Sequence, residues 1–388
     1  METMRKRNFT RNETIGRVVA SLAAVVFLVV PAFAQQESGS RDRSSDPPGI
    51  YALFVWGTKA TATEPLVSLC QRKMESAFVE DETAYARESE NYDTAGSLAA
   101  LAPYLRKTIT LSGDDASPQG IVDACETLAN AAGPNDAVLV YILCHGAAVV
   151  GSDGRMRHGF SPIALSAGEL RMGEIGISRG TIMKTIKSRP HRLNLLISDA
   201  CSVAASHKYV PSAKTSRLVP KALDLPYLGK FLLNARGELN INSSRPPKDF
   251  ASSGEKARGY FATAWSAGVP ENPDERDAYE RFSGTVFLNA FLELATARDY
   301  DPEIDYDPQR FFEKLRARLD DKYWETWLYL KINNQMTIAN EFMGQWTQTL
   351  TRFDDGSLPY AEDLQYKSRH KFEVPRSIAE GAGDDGTF

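Results

Sequence analysis

The stretch Ala137-Val-Leu-Val-Tyr-Ile-Leu143 is the strongest strand signal in the sequence, and the fold prediction starts from it. An unbroken apolar run of this kind is typical of a strand that is buried on both faces of a parallel sheet. The runs Ile50–Trp56 and Leu193–Ile197 have a similar character. Stretches with helical spacing of apolar residues lie between them, so the chain predicts an α/β fold with a mainly parallel β-sheet sandwiched between helices.

Three of the helical stretches carry additional signals. Ser117 and Pro118 have the types favoured at a helix N-terminus, and they predict a helix that runs to about Ala131. A second helix is predicted over Ser178–Lys187. Pro308–Leu330 carries aromatic residues at helical spacing, which favours the buried side of an amphipathic helix over a ligand-binding surface.

The composition is that of a globular protein and excludes several other classes. Of 388 residues, 43% are hydrophobic and 24% are charged, which excludes collagen, coiled-coil and disordered proteins. The net charge of −5 offers no general attraction to a phosphate backbone, so we expect no nucleic-acid partner. With 4 cysteines and 5 histidines the chain is poorly supplied for a zinc-rich or iron–sulfur protein, and no metal or organic cofactor is implied.

The N-terminus has the pattern of a secretory signal peptide. A basic start precedes the apolar run Val18–Val30, and Ala32-Phe-Ala34 provides a cleavage pattern. A membrane anchor is the alternative, but the run is shorter than the roughly 18 residues that a spanning helix needs. We expect removal of residues 1–34, a flexible linker over residues 35–48, and a secreted or periplasmic protein without a stable membrane span.

Chemically versatile residues directly follow two of the predicted strands. Cys144-His145-Gly146 follows one strand, and Ser198-Asp-Ala-Cys201-Ser202 follows the next. Because the carboxyl ends of parallel strands meet at one edge of a sheet, these segments should lie together. An imidazole activates a thiol and can return a proton to a leaving amine. We therefore expect Cys201 to be a catalytic nucleophile and His145 its general acid and base.

Gly146 extends this hypothesis to an oxyanion site. It has no side chain to obstruct its N–H, and this N–H together with that of Cys201 would stabilise the oxyanion of an acyl-transfer intermediate. The alternative is that Cys201 is a core cysteine and His145 a strand-end histidine with a structural partner. Their joint placement at two strand ends favours the catalytic interpretation.

The remaining cysteines and histidines have structural explanations. Cys144 should point to the opposite face of its strand from His145 and pack in the core. Cys70 and Cys125 lie on separate predicted helices, and buried thiols are favoured over a disulfide between them. The other histidines have no metal-ligand spacing and are expected in solvated loops: His158, His191, His207 and His370.

The two strand-end blocks resemble those of the caspase and metacaspase group of cysteine peptidases, in a secreted bacterial form. In that group the histidine lies about 50 residues before the nucleophile, and here the interval from His145 to Cys201 is 56 residues. Tyr260–Trp265 resembles the later strand that edges the substrate cleft, and Gly284–Phe287 resembles the approach to the small-subunit helix. The resemblance implies a caspase-like peptidase domain over residues 49–350.

The same resemblance divides this domain. It implies a large-subunit-like part over residues 49–205, an intersubunit-like loop over residues 206–237 and a small-subunit-like part over residues 238–350. The loop is rich in Lys and Arg and interrupted by prolines, so self-processing there is a hypothesis, with a solvated basic loop as its alternative. The Gly- and Asp-rich end predicts a C-terminal tail over residues 351–388, mobile from about Asp354.

Asp199 stands where animal caspases have Gln and where metacaspases, which cut after Arg or Lys, have Asp. The resemblance thus implies that Asp199, with Glu280 near the substrate-gripping position, binds a basic substrate side chain through charge-assisted hydrogen bonds. The alternatives are a carboxylate that holds a strand-end turn and a surface acid. Ser202 stands where metacaspases usually have His. Calcium activates many metacaspases, but no ligand cluster here can be assigned to it.

The sequence therefore predicts a caspase-like cysteine endopeptidase that cleaves polypeptides after basic residues through a thioacyl enzyme. An alternative from another class is a catalytically inactive caspase-like scaffold that binds peptides, because a dyad can persist in a fold whose pocket no longer works. A third alternative is a small-molecule-binding α/β domain, which would show no reactive thiol.

Overall fold

The structure is a computed structural model, and it describes most of the predicted domain. The described residues are 47–59, 64–78, 98–150, 156–163, 176–206, 225–244, 261–262, 281–297, 306–332, 350–354, 356–366, 368 and 370. The predicted signal peptide and all but the end of the predicted linker lie outside them. So do Glu280, His207 and much of the predicted intersubunit-like loop.

Strands and helices alternate over the first half of the chain, as the sequence predicts. The strands are β1 Ile50–Trp56, β2 Leu105–Ser112, β3 Ala137–Val150, β4 Met156–Ser161, β5 Ile177–Ser178, β6 Leu193–Ala200, β7 Val203–Ser206, β8 Gly237–Asn242, β9 Phe261–Ala262, β10 Gly284–Thr285 and β11 Thr351–Arg352. The helices are α1 Glu64–Ala77, α2 Pro118–Ala131, α3 Arg179–Ile186, α4 Tyr227–Asn234, α5 Val286–Thr296 and α6 Pro308–Ile332. Short 3₁₀ turns occur at Ala99–Tyr104, Gly113–Ala116 and Asp363–Gln365.

The sheet is mainly parallel and confirms the predicted α/β class. Its strand order is β11-β8-β6-β3-β1-β2. Neighbours from β8 to β2 in that order pair in parallel, and β11 pairs antiparallel with β8 at one edge. The later residues of β3 extend past β1 and β6 and pair with β4 and β7, and β4 also pairs with β5. The unbroken apolar runs thus occupy the centre, where both faces are covered.

Helices cover the sheet on both faces. Odd-numbered residues of β3 and β6, such as Tyr141 and Ile197, face a core that α1, α4, α5 and α6 complete. Even-numbered residues, such as Ile142 and Leu196, face a second core completed by α2 and α3. This alternation follows from the period of two along a strand. The face completed by α5 is called here the α5 face.

Local sequence signals explain where several helices begin. The Ser117 side chain accepts a hydrogen bond from the N–H of Gly120, as an N-cap residue does, and Pro118 occupies the first turn of α2. Ser178 caps α3 in the same way. The aromatic residues of α6 are mostly buried, including Phe311 and Trp327, which confirms the amphipathic interpretation.

Two sequence predictions about loops are wrong in part. The end of the predicted intersubunit-like loop forms α4, because Phe231 and its apolar neighbours bury against the sheet. The described residues 351–354 and 356–366 of the predicted C-terminal tail pack on the domain, since β11 adds to the sheet and the carboxylate of Asp363 is fully buried against Arg352. Within the part of the chain that the structure describes, no helix combines the length and apolar character needed to cross a bilayer.

Candidate active site

The candidate site lies where β3 changes its pairing partners. β3 pairs with β6 as far as Cys144 opposite Ala200, and with β7 a few residues further on, both with an offset of 56 residues. The same offset places His145 level with Cys201 on neighbouring segments, where parallel strands are about 4.8 Å apart. The structure thus brings the two sequence-predicted residues to the same edge of the sheet.

His145 is the first residue of β3 to pair with β4, opposite Ser161. Its ring is half-buried, and its Nε2 atom is buried with no hydrogen-bond partner in the described part of the chain. Burial lowers the pKa of this imidazole below its usual value of 6.5. The ring is therefore mostly neutral at pH 7 and able to accept a proton.

Cys201 differs from the other three cysteines in its exposure. Cys70, Cys125 and Cys144 are buried, whereas Cys201 is partly accessible, and none of the four forms a disulfide. Burial raises the pKa of both the Cys70 and Cys125 thiols to about 12, and that of Cys144 higher still. These three thiols are therefore inert near neutral pH. Cys201 is the accessible thiol of the chain.

The predictions for the three buried cysteines are confirmed. Cys144 packs in the core that faces α2 and α3, on the opposite side of β3 from His145. Cys70 lies in the core on the α5 face, while Cys125 lies in the other core. Because the sheet separates Cys70 from Cys125, a disulfide between them cannot form without unfolding.

Gly146 meets a steric requirement that its sequence position does not reveal. A Cβ atom there would overlap the carbonyl oxygen of Cys201 and lie 2.9 Å from the Nε2 atom of His158. The close approach of the Gly146 backbone to Cys201 requires a residue without a side chain. Any oxyanion role for the Gly146 N–H is therefore additional to a packing role.

Asp199 lies on the α5 face and is buried, with 2% of its surface exposed. Its Oδ2 atom accepts a hydrogen bond from the hydroxyl of Thr285, the N-cap residue of α5. Burial raises the pKa of this carboxyl to about 6, against the opposing effect of the Thr285 hydrogen bond. Gly284 has a φ of 88°, which favours glycine and turns the chain into α5 so that Thr285 meets Asp199.

The sequence does not reveal that His158 is buried beside Cys201. His158 was expected in a solvated loop, but it lies on β4 with no exposed surface, and its Nε2 atom is 2.7 Å from the carbonyl oxygen of Cys201. Its sequence neighbours Arg157 and Gly159 gave no apolar alternation that would have marked a buried strand. The prediction is wrong because the C-terminal segment, which includes Phe353, packs against the ring.

Two other histidines also have more contact with the protein than expected. Both ring nitrogens of His191 are buried, and burial lowers its pKa. The ring of His370 stacks on Trp324, and its Nε2 atom is 2.8 Å from Asp321 Oδ1. Neither histidine joins the candidate site. Among the described residues, no group of three or more His, Cys, Asp or Glu side chains could hold a metal ion.

No protein-family model matches the sequence. A search of curated proteins also finds no match. The structure therefore shows the fold class, a mainly parallel sheet between two layers of helices, with Cys201 and His145 level with each other at the carboxyl ends of two central strands.

Proposed function

We propose that the protein is a caspase-like cysteine endopeptidase in which Cys201 is the nucleophile and His145 the general acid and base. The main observation behind the proposal is the common offset of 56 residues, which puts these two residues level on adjacent segments. The accessibility of Cys201, against the burial of the other three thiols, supports it. The resemblance in the order of the sequence blocks supports the same class.

The proposed reaction uses the two side chains in turn. His145 takes the proton of the Cys201 thiol, and the thiolate sulfur adds to the scissile carbonyl carbon. Its oxyanion would be stabilised by the N–H groups of Gly146 and Cys201. The C–N bond then breaks as His145 gives its proton to the leaving amine. A water molecule deprotonated by His145 hydrolyses the thioester, which releases the carboxylic acid and restores the thiol.

Preference for a basic side chain at the cleaved bond is a further part of the proposal. Asp199 lies two residues before Cys201, near the carboxyl end of β6. Its carboxylate is ionised above a pH of about 6. Because the site is buried, an ionised carboxylate there would bind Arg or Lys strongly. The hydrogen bond from Thr285 equally suits a carboxylate that fixes the start of α5. Glu280 lies outside the described residues.

Peptide hydrolysis tests the proposed function. Fluorogenic peptides ending in Arg, Lys, Asp or Ala are given to the wild type, Cys201→Ala and, as a control with a buried thiol on the other face, Cys125→Ala. We expect the Arg and Lys peptides to be cleaved fastest, Cys125→Ala to retain activity and Cys201→Ala to have none. Faster cleavage of the Asp peptide would reject the specificity. Binding of peptides without cleavage would instead support the scaffold alternative.

Self-processing is proposed only for the part of the loop before α4. Lys230 lies in helix α4, and Arg236 lies in the two-residue connection between α4 and β8, so neither is in an extended loop that a peptidase could bind. The candidate positions are therefore the basic residues of the stretch 207–224, which lies outside the described residues. Intact-mass measurement of the wild type beside Cys201→Ala tests this, since identical masses for the two proteins would remove the idea.

A further inference from the structure

The nucleophile lies in a gap between two strands. β6 ends at Ala200 and β7 begins at Val203, so Cys201 and Ser202 belong to neither strand. Inside a parallel sheet, backbone carbonyls accept hydrogen bonds from the neighbouring strand. Here the carbonyls on both sides of the nucleophile accept hydrogen bonds from side chains of other segments.

The carbonyl before the nucleophile has two donors from the end of β8. The oxygen of Ala200 accepts from Asn242 Nδ2 at 2.9 Å and from Ser244 Oγ at 2.8 Å. All three residues are buried. In a trans peptide the C=O and N–H groups point in opposite directions, so fixing the Ala200 carbonyl also fixes the direction of the Cys201 N–H. That N–H is the proposed oxyanion donor.

The carbonyl after the nucleophile accepts a hydrogen bond from His158. Because the oxygen of Cys201 can only accept, the Nε2 atom of His158 carries the hydrogen of this 2.7 Å bond. Burial and the nearby Arg179 lower the pKa of this imidazole to about 3, so the ring stays neutral at working pH. Phe160 and Phe353 hold the ring, with centroid distances of 5.2 and 5.5 Å.

We propose that His158, Asn242 and Ser244 are positioning residues that fix the peptide groups on either side of Cys201. They thereby set the direction of its thiol and of its N–H. This inference rests on the proposed function for its catalytic consequence. The hydrogen bonds themselves are independent of that function, and the experiments below separate the two.

Variants of His158 and Asn242 should lower turnover more than substrate binding. Because misplacement of a reacting group by about 1 Å can cost about a hundredfold in rate, we expect His158→Leu and Asn242→Ala to lower kcat by 10- to 100-fold, with KM within about twofold. His158→Gln retains an N–H near the Nε2 position and should recover much of the rate. Asn234→Ala is the matched control, since Asn234 is also a buried asparagine but its Nδ2 donates to the carbonyl oxygen of Lys230 within α4.

An NMR measurement reports on the nucleophile without needing activity. The chain has 4 cysteines, so labelling with ¹⁵N-cysteine yields four backbone amide signals. The signal missing in Cys201→Ala is that of the nucleophile. In His158→Leu and Asn242→Ala we expect this signal to shift and its hydrogen exchange to accelerate. The signal of Cys125, which lies in α2, should stay in place.

The outcomes separate the two proposals. An unchanged Cys201 amide in both variants overturns the positioning proposal, whatever the turnover. So does wild-type kcat in folded His158→Leu and Asn242→Ala. An inactive wild type whose Cys201 amide responds as expected would reject the peptidase and retain the fixed backbone. If a variant does not fold, Ser244→Ala, which removes one donor to the Ala200 carbonyl, provides the same comparison with a smaller expected shift.

Discussion

At the scale of single residues, burial favours the uncharged form of two side chains at the candidate site. It lowers the pKa of the imidazole of His145 and raises that of the carboxyl of Asp199 to about 6. Shifted pKa values of this kind are typical of sites that handle protons or charged ligands.

Asp199 should make the preference for Arg depend on pH. The carboxyl is protonated below pH of about 6 and negatively charged above it, so its attraction for a cation appears as pH rises through that value. We expect kcat/KM for an Arg peptide, divided by that for the uncharged citrulline peptide, to rise between pH 5 and 7. Titration of His145 affects both peptides and cancels in the ratio.

In Asp199→Asn this ratio should be low and independent of pH. A ratio that is flat in the wild type would show that the buried carboxylate holds the start of α5 through Thr285 and does not contact the substrate.

Gly146 should not tolerate even a methyl group. In Gly146→Ala the added carbon would overlap the Cys201 carbonyl, which is backbone and cannot rotate away as a side chain would. We expect the chain around Cys201 to shift and kcat to fall by about a hundredfold, since positioning errors of this size have that effect. Peptide hydrolysis by the folded variant checks this, and wild-type activity would show that the two backbones separate easily.

At the scale of elements, the C-terminal segment stabilises the side of the site formed by β4. The N–H of His158 donates to the carbonyl oxygen of Ser357 at 3.2 Å, and Phe353 packs on the His158 ring. The segment itself is held by Arg352, which pairs with β8 through β11 and bonds Asp363. The C-terminal segment, although far from Cys201 in sequence, therefore contacts His158, whose ring bonds the carbonyl oxygen of Cys201.

The buried carboxylate of Asp363 should be important for stability. It accepts from the N–H of Arg352 at 2.8 Å and from its Nε at 2.9 Å, and it contacts Arg316 at 3.1 Å. Removing one partner of a buried ion pair leaves the others uncompensated, so we expect Asp363→Ala to lower the free energy of unfolding by about 3–5 kcal/mol.

The matched control is Glu362→Ala, because Glu362 bonds the same arginine at 2.8 Å but is 64% exposed. An exposed pair contributes about 1 kcal/mol or less. Urea denaturation measures both variants. Equal decreases in the free energy of unfolding would mean that the stability of the C-terminal segment does not depend on the buried ion pair.

The sequence predicts the elements with strong local patterns and misses those that depend on distant partners. The apolar runs of β1, β3 and β6 and the capping residue Ser117 are local signals, and the structure confirms them. The burial of His158 depends on Phe353, almost 200 positions later, which no window of sequence can reveal. Likewise α4 is apolar but short, and the prolines around it favoured a loop.

At the scale of the whole molecule, the candidate site exists only in the folded chain. Its groups come from the middle of β3, from β4, from the ends of β6 and β8 and from the start of α5. The parallel sheet brings these separate segments to one edge because the carboxyl ends of its strands point the same way. The placement of His145 level with Cys201 could be predicted from this rule, whereas the residues that bond the backbone around Cys201 could not.

Labelling with an arginine chloromethyl ketone measures whether His145 activates Cys201. The thiolate displaces chloride and forms a thioether, which peptide mass spectrometry locates. We expect one label on Cys201 and a labelling rate at least about a hundredfold lower in His145→Ala, the usual range for general acid–base catalysis. Equal labelling rates in the wild type and His145→Ala, or a label on another cysteine, would show that His145 does not activate Cys201.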